Sequence, residues 1–493
     1  MMHRTSFAII AMFLTLLPAA VLGAEKPNIL WLFSDDHAFQ AIGAYGGRFG
    51  NLGLTPNIDT LATDGMRFDR CYVGNSICGP SRATLLTGKH SHKNGKLTND
   101  GGLNPRQQTF PKILQENDYQ TALIGKVHLG GGGTQGFDYW EVLPGQGRYW
   151  DPVFKTAQGK IEYKGRHSTD VITERALDWL ENGRDKSKPF MAMVHFKAPH
   201  GNWQPTTRWK EAFKDRRFPE PDTLFDDYEG RGTAAHIQSM SICRNMHMIY
   251  EVKSQQTERQ AELAKIDSND TEALGRLKYQ WYMRDYLACV AGVDESVGKL
   301  LAYLKENGLD KNTVVMYSSD QGFYLGEHGW FDKRFMYEES FRTPYLVKWP
   351  GVVKPGSVNA DLVQNIDFAE TFLAIAGIEA PADMQGESLI PLLKGETPAD
   401  WRKSLYYHYY EFPNGLRVRP HEGAATSRFK LIRFYGKDIP DGQQWEFYDL
   451  HKDPKEMKSV YSDPAYAAHV SELEKELQRL REYYDVPAED IEN

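Results

Sequence analysis

The chain is poor in cysteine: four occur in 493 residues, at Cys71, Cys78, Cys243 and Cys289. That is too few for a disulfide framework at this length. If Cys78 is used chemically, three remain, and either one of them is free or all three are simply buried. Positive charge is not in surplus either. The 58 Lys and Arg against 66 Asp and Glu give a formal charge of -8, which argues against a general affinity for nucleic acid or an anionic membrane surface. An anionic ligand would have to be met by local cations. There is no internal repeat and no low-complexity run, and 41% hydrophobic with 25% charged residues is an ordinary globular balance. A spanning hydrophobic segment is also missing. The apolar stretch from Phe7 to Leu17 is shorter than the roughly 20 residues a span needs and is broken by Pro18. With Arg4 before it and Val21, Gly23 and Ala24 after it, residues 1–24 have the layout of a secretory signal. The expectation is a secreted or periplasmic protein, cleaved near Gly23 or Ala24, with no lipid-bearing cysteine after the signal and no membrane span in the mature chain.

What is present alternates. Short apolar, β-branched runs, NILWLF (28–33), TALIG (121–125), FMAMVHF (190–196), TVVMYSS (313–319) and PYLVKW (344–349), lie between helical patterns. Such runs read as buried strands of a parallel sheet covered by helices on both faces, which predicts an α/β layer architecture. Residues 281–308 carry apolar positions at helical spacing and close with Gly308, predicting a long helix on that sheet. The charged stretch 213–272 predicts an irregular insertion of the kind that frames a pocket. Residues 384–401 read as a linker with turns. Beyond it, SLYYHYYEF, FKLIRFY and WEFYDL alternate as antiparallel strands, and 466–484 is an amphipathic helix. The expected division is a catalytic domain over 25–400 and a smaller antiparallel C-terminal α+β subdomain with a closing helix over 401–493.

The string CGPSRATLLTG (78–88) is the most informative stretch. Pro80 suits a first helical turn and Gly88 a terminus, so Cys78 would sit at a helix N-terminus, where negative charge is favoured. Taken alone, Cys78 with Arg82 four residues on is either a thiolate nucleophile or an ordinary buried cysteine. The C-x-P-S-R string followed by a TG-terminated helix resembles the signature of type I sulfatases, of the alkaline-phosphatase-like superfamily. The resemblance extends over essentially the whole chain after the signal. It implies that Cys78 is oxidised to formylglycine by a dedicated generating enzyme that reads Cys78, Pro80 and Arg82.

The strand NILWLF ends in Asp35 and Asp36, and TVVMYSS ends in Asp320 and Gln321, where a parallel sheet opens its ligand crevice. Three carboxylates and an amide carbonyl form an oxygen cage suited to Ca²⁺, or Mg²⁺, rather than Zn²⁺. The family commonly carries Asn where Gln321 stands, and Gln offers the same ligand atom on a longer stem.

KVHLGGGG resembles the family's G-K-x-H-x-G element and implies roles for Lys126 and His128. FKAPHGNW matches its A-P-H element at His200, and FDKRFMYEES matches the stretch that places Lys333 on sulfate in glucosamine-6-sulfatase-like members. Charge on the peripheral oxygens of a sulfuryl group calls for cations, which Arg82, Lys126, Lys333 and the metal ion supply. The implied mechanism has one hydroxyl of hydrated formylglycine attack sulfur, with His200 as general acid to the departing alcohol. The second hydroxyl then loses its proton to His128 and expels sulfate. Candidate contacts to a sulfated carbohydrate are Trp203, Arg334, His408, Arg417 and His421. Aromatics in a small antiparallel sheet are, however, commonly packing. Two alternatives stand beside the sulfatase: a phosphomonoesterase or phosphonate hydrolase of the same superfamily, and a catalytically silent protein that binds sulfated glycans.

Overall fold

The computed structural model describes residues 26–246, 256–437, 439 and 442–488. The expected signal segment lies outside them. Among the described residues no helix is long and apolar enough to cross a membrane.

Ten strands form one large sheet, whose centre, in spatial order, is Thr313–Ser319, Asn28–Ser34, Phe190–His195, Gln120–Lys126 and Tyr139–Leu143. These five run parallel. The central three are almost wholly buried because helices cover both faces, which is why their sequences are continuous apolar runs. One face packs on the 36-residue helix Thr271–Glu306 through Tyr282, Tyr286, Leu287 and Val293. Asp270 caps that helix by accepting from the Ala273 N–H at 2.9 Å. It begins ten residues before the apolar pattern because its first turns are polar and partly exposed.

The expectation of a parallel strand at 344–349 is corrected. Tyr345–Lys348 runs antiparallel to Thr313–Ser319. Residues 320–344 contain no crossover helix, only the short turns Glu327–Gly329 and Glu338–Phe341, so the chain re-enters the sheet from the end it left. The stretch 384–401 is turn-rich, with the one short helix Ile390–Leu393, and it is packed against the core along its length. Leu389, Leu392, Leu393 and Trp401 are buried with Phe110 and Phe372 in the core on the second face of the large sheet, and the Trp401 indole N–H donates to the Leu362 carbonyl at 3.0 Å.

A second sheet pairs Ser404–Tyr409, His421–Thr426, Phe429–Tyr435 and Gln443–Asp449, all antiparallel. Its outer face takes Leu473, Leu477 and Leu480 of the closing helix Ala467–Tyr483. Its inner face, with Tyr407, Ile432, Phe434 and Tyr448, packs on Trp330, Phe335, Tyr337 and Phe341. The small sheet therefore braces the loop that carries Lys333.

Candidate active site

Four adjacent strands of the large sheet deliver the site at their carboxyl ends. Ser34 and Ser319 are register partners, so Asp35 and Asp36 emerge beside Asp320 and Gln321, and the Asp36 N–H donates to Asp320 Oδ1 at 3.0 Å. Lys126 closes its own strand, and His200 follows Phe190–His195. The helix Cys78–Thr87 points its N-terminus at this edge; it ends at Gly88, whose φ of 64° and N–H bond to Thr84 O at 2.9 Å form the expected left-handed stop.

Oxygen atoms of Asp35, Asp36 and Asp320 and the sulfur of Cys78 lie within 4.8 Å of one another, all buried. Cations surround them. Arg82 stands 3.0 Å from Asp320 and 3.4 Å from Asp35, and donates to the Lys126 carbonyl at 2.9 Å. Lys126 Nζ is bonded to Asp35 and to Gln146. Lys333 Nζ lies 2.5 Å from Asp36 and 3.3 Å from Cys78 Sγ. His200 Nε2 is 3.8 Å from Asp36 Oδ2. His128 stands at the edge of the cluster, half-buried at a φ of 55°, with Nδ1 enclosed and unpaired.

The charges are strongly coupled. Burial opposes ionisation of Asp35, but the Lys126 ammonium and the Arg82 guanidinium outweigh it and hold the carboxyl well below its usual range. Burial, against the pull of Lys333, leaves Asp36 raised to about 6. Burial and the neighbouring Asp35 raise Asp320 to about 8 in spite of Arg82. Burial pushes the Cys78 thiol up to about 12, against Lys333 and Lys126. An unmodified thiol here is protonated at neutral pH, which removes the simple thiolate nucleophile. Burial, then the nearby lysines, hold His200 well below its usual value, and burial takes His128 to about 3, so both rings are neutral in the free site.

The donor set fits a hard divalent cation. Carboxylates crowded enough to raise Asp320 are relieved by one, and Asp35 Oδ1 and Gln321 Oε1 are both buried without a hydrogen-bond partner. Gln321 turns its amide nitrogen to Asp320 at 2.8 Å. Exchanging the two amide ends, which are nearly alike in shape, places the free oxygen among the carboxylates.

Beyond His200 opens a cavity of about 660 Å³, walled by Asn202, Trp203, Asp332, Arg334, Glu411 and Asn414 among others. Trp203 is fixed by its indole N–H bond to Pro199 O at 2.7 Å and by Tyr282, 4.5 Å away between ring centres. Arg334 pairs with Asp332. Arg417 is exposed and adjoins the wall residue Leu416. The other two expected carbohydrate contacts are corrected. His408 is buried between the hydroxyls of Tyr406 and Tyr435, at 2.9 and 2.6 Å. His421 accepts the Met336 N–H at 3.1 Å, and its Nδ1 meets Arg419 O at 2.8 Å. Both rings have their nitrogens engaged in packing. Residues unforeseen from sequence include Asp332, Glu411, Asn414, and Asn99, which accepts the Gly79 N–H at 3.0 Å. They sit on loops, where neither periodicity nor spacing carries a signal.

A mostly parallel sheet flanked by helices, with buried acids and cations gathered at its carboxyl edge, has the fold that the alkaline-phosphatase-like resemblance implies and a site suited to an anionic ligand. Agreement with known proteins narrows the class. Residues 27–378 match the sulfatase family, and residues 326–483 match the C-terminal region of N-sulphoglucosamine sulphohydrolase. The chain belongs to the sulfatase family and is a sulfuric ester hydrolase. It is 47% identical to an N-acetylglucosamine-6-O-sulfatase of Bacteroides thetaiotaomicron over 93% of this chain and 87% of that one. A solved structure of a protein in complex with its substrate D-glucosamine-2-N,6-O-disulfate superposes with a TM-score of 0.90 at 46% identity, over 95% of this chain and 100% of that one. A phosphonate monoester hydrolase of Agrobacterium radiobacter shares the fold at a TM-score of 0.71 and 20% identity, covering 93% and 96% of the two chains.

Proposed function

We propose that this chain removes sulfate from a sulfated glucosamine unit of a glycan, with formylglycine formed from Cys78 and a bound Ca²⁺ or Mg²⁺. The observation that carries the reading is the position of Cys78: buried, 3.3 Å from the Lys333 ammonium, and within the same cluster as three carboxylates. The 47% identical N-acetylglucosamine-6-O-sulfatase and the disulfated glucosamine complex support the choice of sugar. Asp35, Asp36, Asp320 and Gln321 would hold the metal ion, which supplies a Lewis acid against the anionic centre. Formylglycine supplies a geminal diol, one hydroxyl to attack sulfur and the other to release sulfate.

The chain's own groups do the rest. Arg82, Lys126 and Lys333 are set in place before substrate arrives, held by Asp320, Asp35 and Asp36, so their field at the sulfuryl oxygens costs little reorganisation. His200 faces the cavity wall and stands on the side from which a sugar enters. Its ring is neutral in the free site, and the incoming sulfate anion supplies the negative charge that favours the imidazolium needed to protonate the departing oxygen. His128, neutral and with an unpaired Nδ1, is the base for the second proton. Trp203, Arg334 and Arg417 are the proposed carbohydrate contacts. Maturation by a formylglycine-generating enzyme and export to the periplasm or medium complete the reading.

Turnover of glucosamine 6-sulfate and its 6-phosphate analogue by matured protein, with mass spectrometry of the peptide containing position 78, tests it. Sulfate release accompanied by an aldehyde at 78 is expected. Faster phosphate release, or only unmodified cysteine in active protein, would overturn it.

A further inference from the structure

A second cavity, of about 380 Å³, lies on the His128 side of the cluster, within the size range of small-molecule sites. One wall is sheet. Tyr139–Leu143 pairs with Val153–Thr156 so that Val142 faces Lys155, and strand alternation puts Trp140 on the same face as Val142. The opposite wall is backbone at Gly130 and Gly131, with Gly145 beside them. A Cβ built at Gly131 or Gly145 would meet nothing within 4 Å, so the room is real. His128 and Asn99 close the end nearest Cys78.

Two hydrogen bonds join this cavity to the larger one. Asn99 accepts the N–H of Gly79, the residue after Cys78, at 3.0 Å, and its own N–H donates to Glu411 Oε2 at 2.8 Å. Glu411 lines the larger cavity and Asn99 the smaller. The two spaces therefore flank one point, the N-terminus of the Cys78 helix. Among the described residues neither the Trp140 indole N–H nor the Lys155 ammonium has a hydrogen-bond or ion-pair partner. An aromatic face with a free donor, next to an uncommitted cation and flat backbone, suits a sugar ring that carries a negative charge.

We propose that the smaller cavity is a second saccharide subsite, which takes an anionic pyranose linked to the sulfated sugar. This rests on the carbohydrate reading above and deepens it: the glycan continues from the larger cavity over the partly exposed Asn99 and Glu411 into the smaller one instead of ending in the first. Lys155 meets the carboxylate or sulfate of that residue, and Trp140 packs on its ring.

The test compares kcat/KM on three substrates: glucosamine 6-sulfate, the same sugar joined to a hexuronate, and the same sugar joined to a neutral hexose. The hexuronate disaccharide is expected to be the best of the three. Trp140→Ala should lower kcat/KM on it about fivefold to tenfold, the scale of one lost aromatic contact, and leave the monosaccharide within about twofold. Lys155→Gln, at an exposed position, should erase the preference for hexuronate over hexose. Equal rates on all three substrates, or equal losses on mono- and disaccharide in Lys155→Gln, would overturn the subsite while leaving the sulfatase reading intact. No turnover of any of the three substrates by matured wild-type protein would refute the carbohydrate reading itself, and the subsite with it.

Discussion

Loading of the metal site should release protons, in a number set by the crowded carboxylates. In the free site Asp320 titrates at about 8 and Asp36 at about 6, both raised first by burial. At pH 7, one unit below the first value and one above the second, about nine-tenths of Asp320 and about one-tenth of Asp36 carry a proton. A divalent ion needs both ionised, so its binding should expel about one proton at pH 7 and about one and a half at pH 6. By pH 9 the release should fall to about a tenth. Linkage makes affinity rise about tenfold per pH unit near neutrality, or about 1.4 kcal/mol per unit. Calorimetric titration of Ca²⁺ into chelator-stripped protein, in buffers of different ionisation enthalpy, counts these protons. The Cys78→Ala protein is the one to use, since its thiol cannot contribute a proton of its own. Asp320→Asn should cut the release at pH 7 to about a tenth of a proton. A release that does not change between pH 6 and 9, or that grows with pH, would refute the reasoning that burial keeps these carboxylates protonated in the free site.

Other perturbations have equally definite readouts. Cys78→Ser should abolish sulfate release without lowering the melting temperature, because the replaced Sγ has Lys333 Nζ as its neighbour and a hydroxyl accepts from the same ammonium; retained turnover would sink the formylglycine route. Lys333→Ala should cost about 10²- to 10³-fold in kcat/KM, the scale of removing one preorganised electrostatic donor, or about 3–4 kcal/mol in steady-state assays. It should also raise Asp36 further and so move Ca²⁺ binding to higher pH. His408 is held well below its usual value by burial, so the unfolded chain gains a proton there near pH 6.5 that the folded chain does not. Stability is thus lost as pH falls, and His408→Gln should gain on wild type by about 1.4 kcal/mol per pH unit between pH 6 and 5 in denaturant titrations.

The site was legible in sequence where local chemistry and topology coincide. Buried parallel strands must be apolar, so the acids that terminate NILWLF and TVVMYSS stand out, and adjacency of those strands turns two strand ends into one cage. Pro80 and Gly88 bound a helix by rules that act within a turn or two. What was not legible depends on contacts remote in sequence. The strand His421–Thr426 is rich in small residues because a Cβ at Gly423 would fall 2.3 Å from Leu431 O and 2.5 Å from Met336 Sδ, a constraint no propensity encodes. His408 and His421 resemble ligand-binding residues until their tyrosine and backbone partners are seen. The direction of Tyr345–Lys348 depends on where the preceding loop goes, and the loop residues Asn99, Asp332 and Glu411 reach the cavities through turns without a period.

The site breaks local rules, and the rest of the fold has to hold it. Of twelve non-glycine residues at positive φ among those described, five belong to the carboxylate cluster or line a cavity beside it: Asp36, His128, Asn202, Asp332 and Arg334. Each departs from what its own backbone prefers, and such departures persist only where surrounding structure over-determines them. For the loop bearing Lys333 that structure is the small C-terminal sheet. Tyr407 donates to the Arg334 carbonyl, His421 accepts from Met336 N, and the Tyr337 hydroxyl donates to Glu446 at 2.6 Å. The first, second and fourth strands of the small sheet thus hold the loop by hydrogen bonds, and the third, Phe429–Tyr435, adds Ile432 and Phe434 to the apolar layer beneath it. An ammonium held 2.5 Å from Asp36 and 3.3 Å from Cys78 is therefore placed by residues more than 70 positions further along the chain. The antiparallel sheet contributes no ligand atom to the carboxylate cluster, yet without it Lys333 has no fixed address.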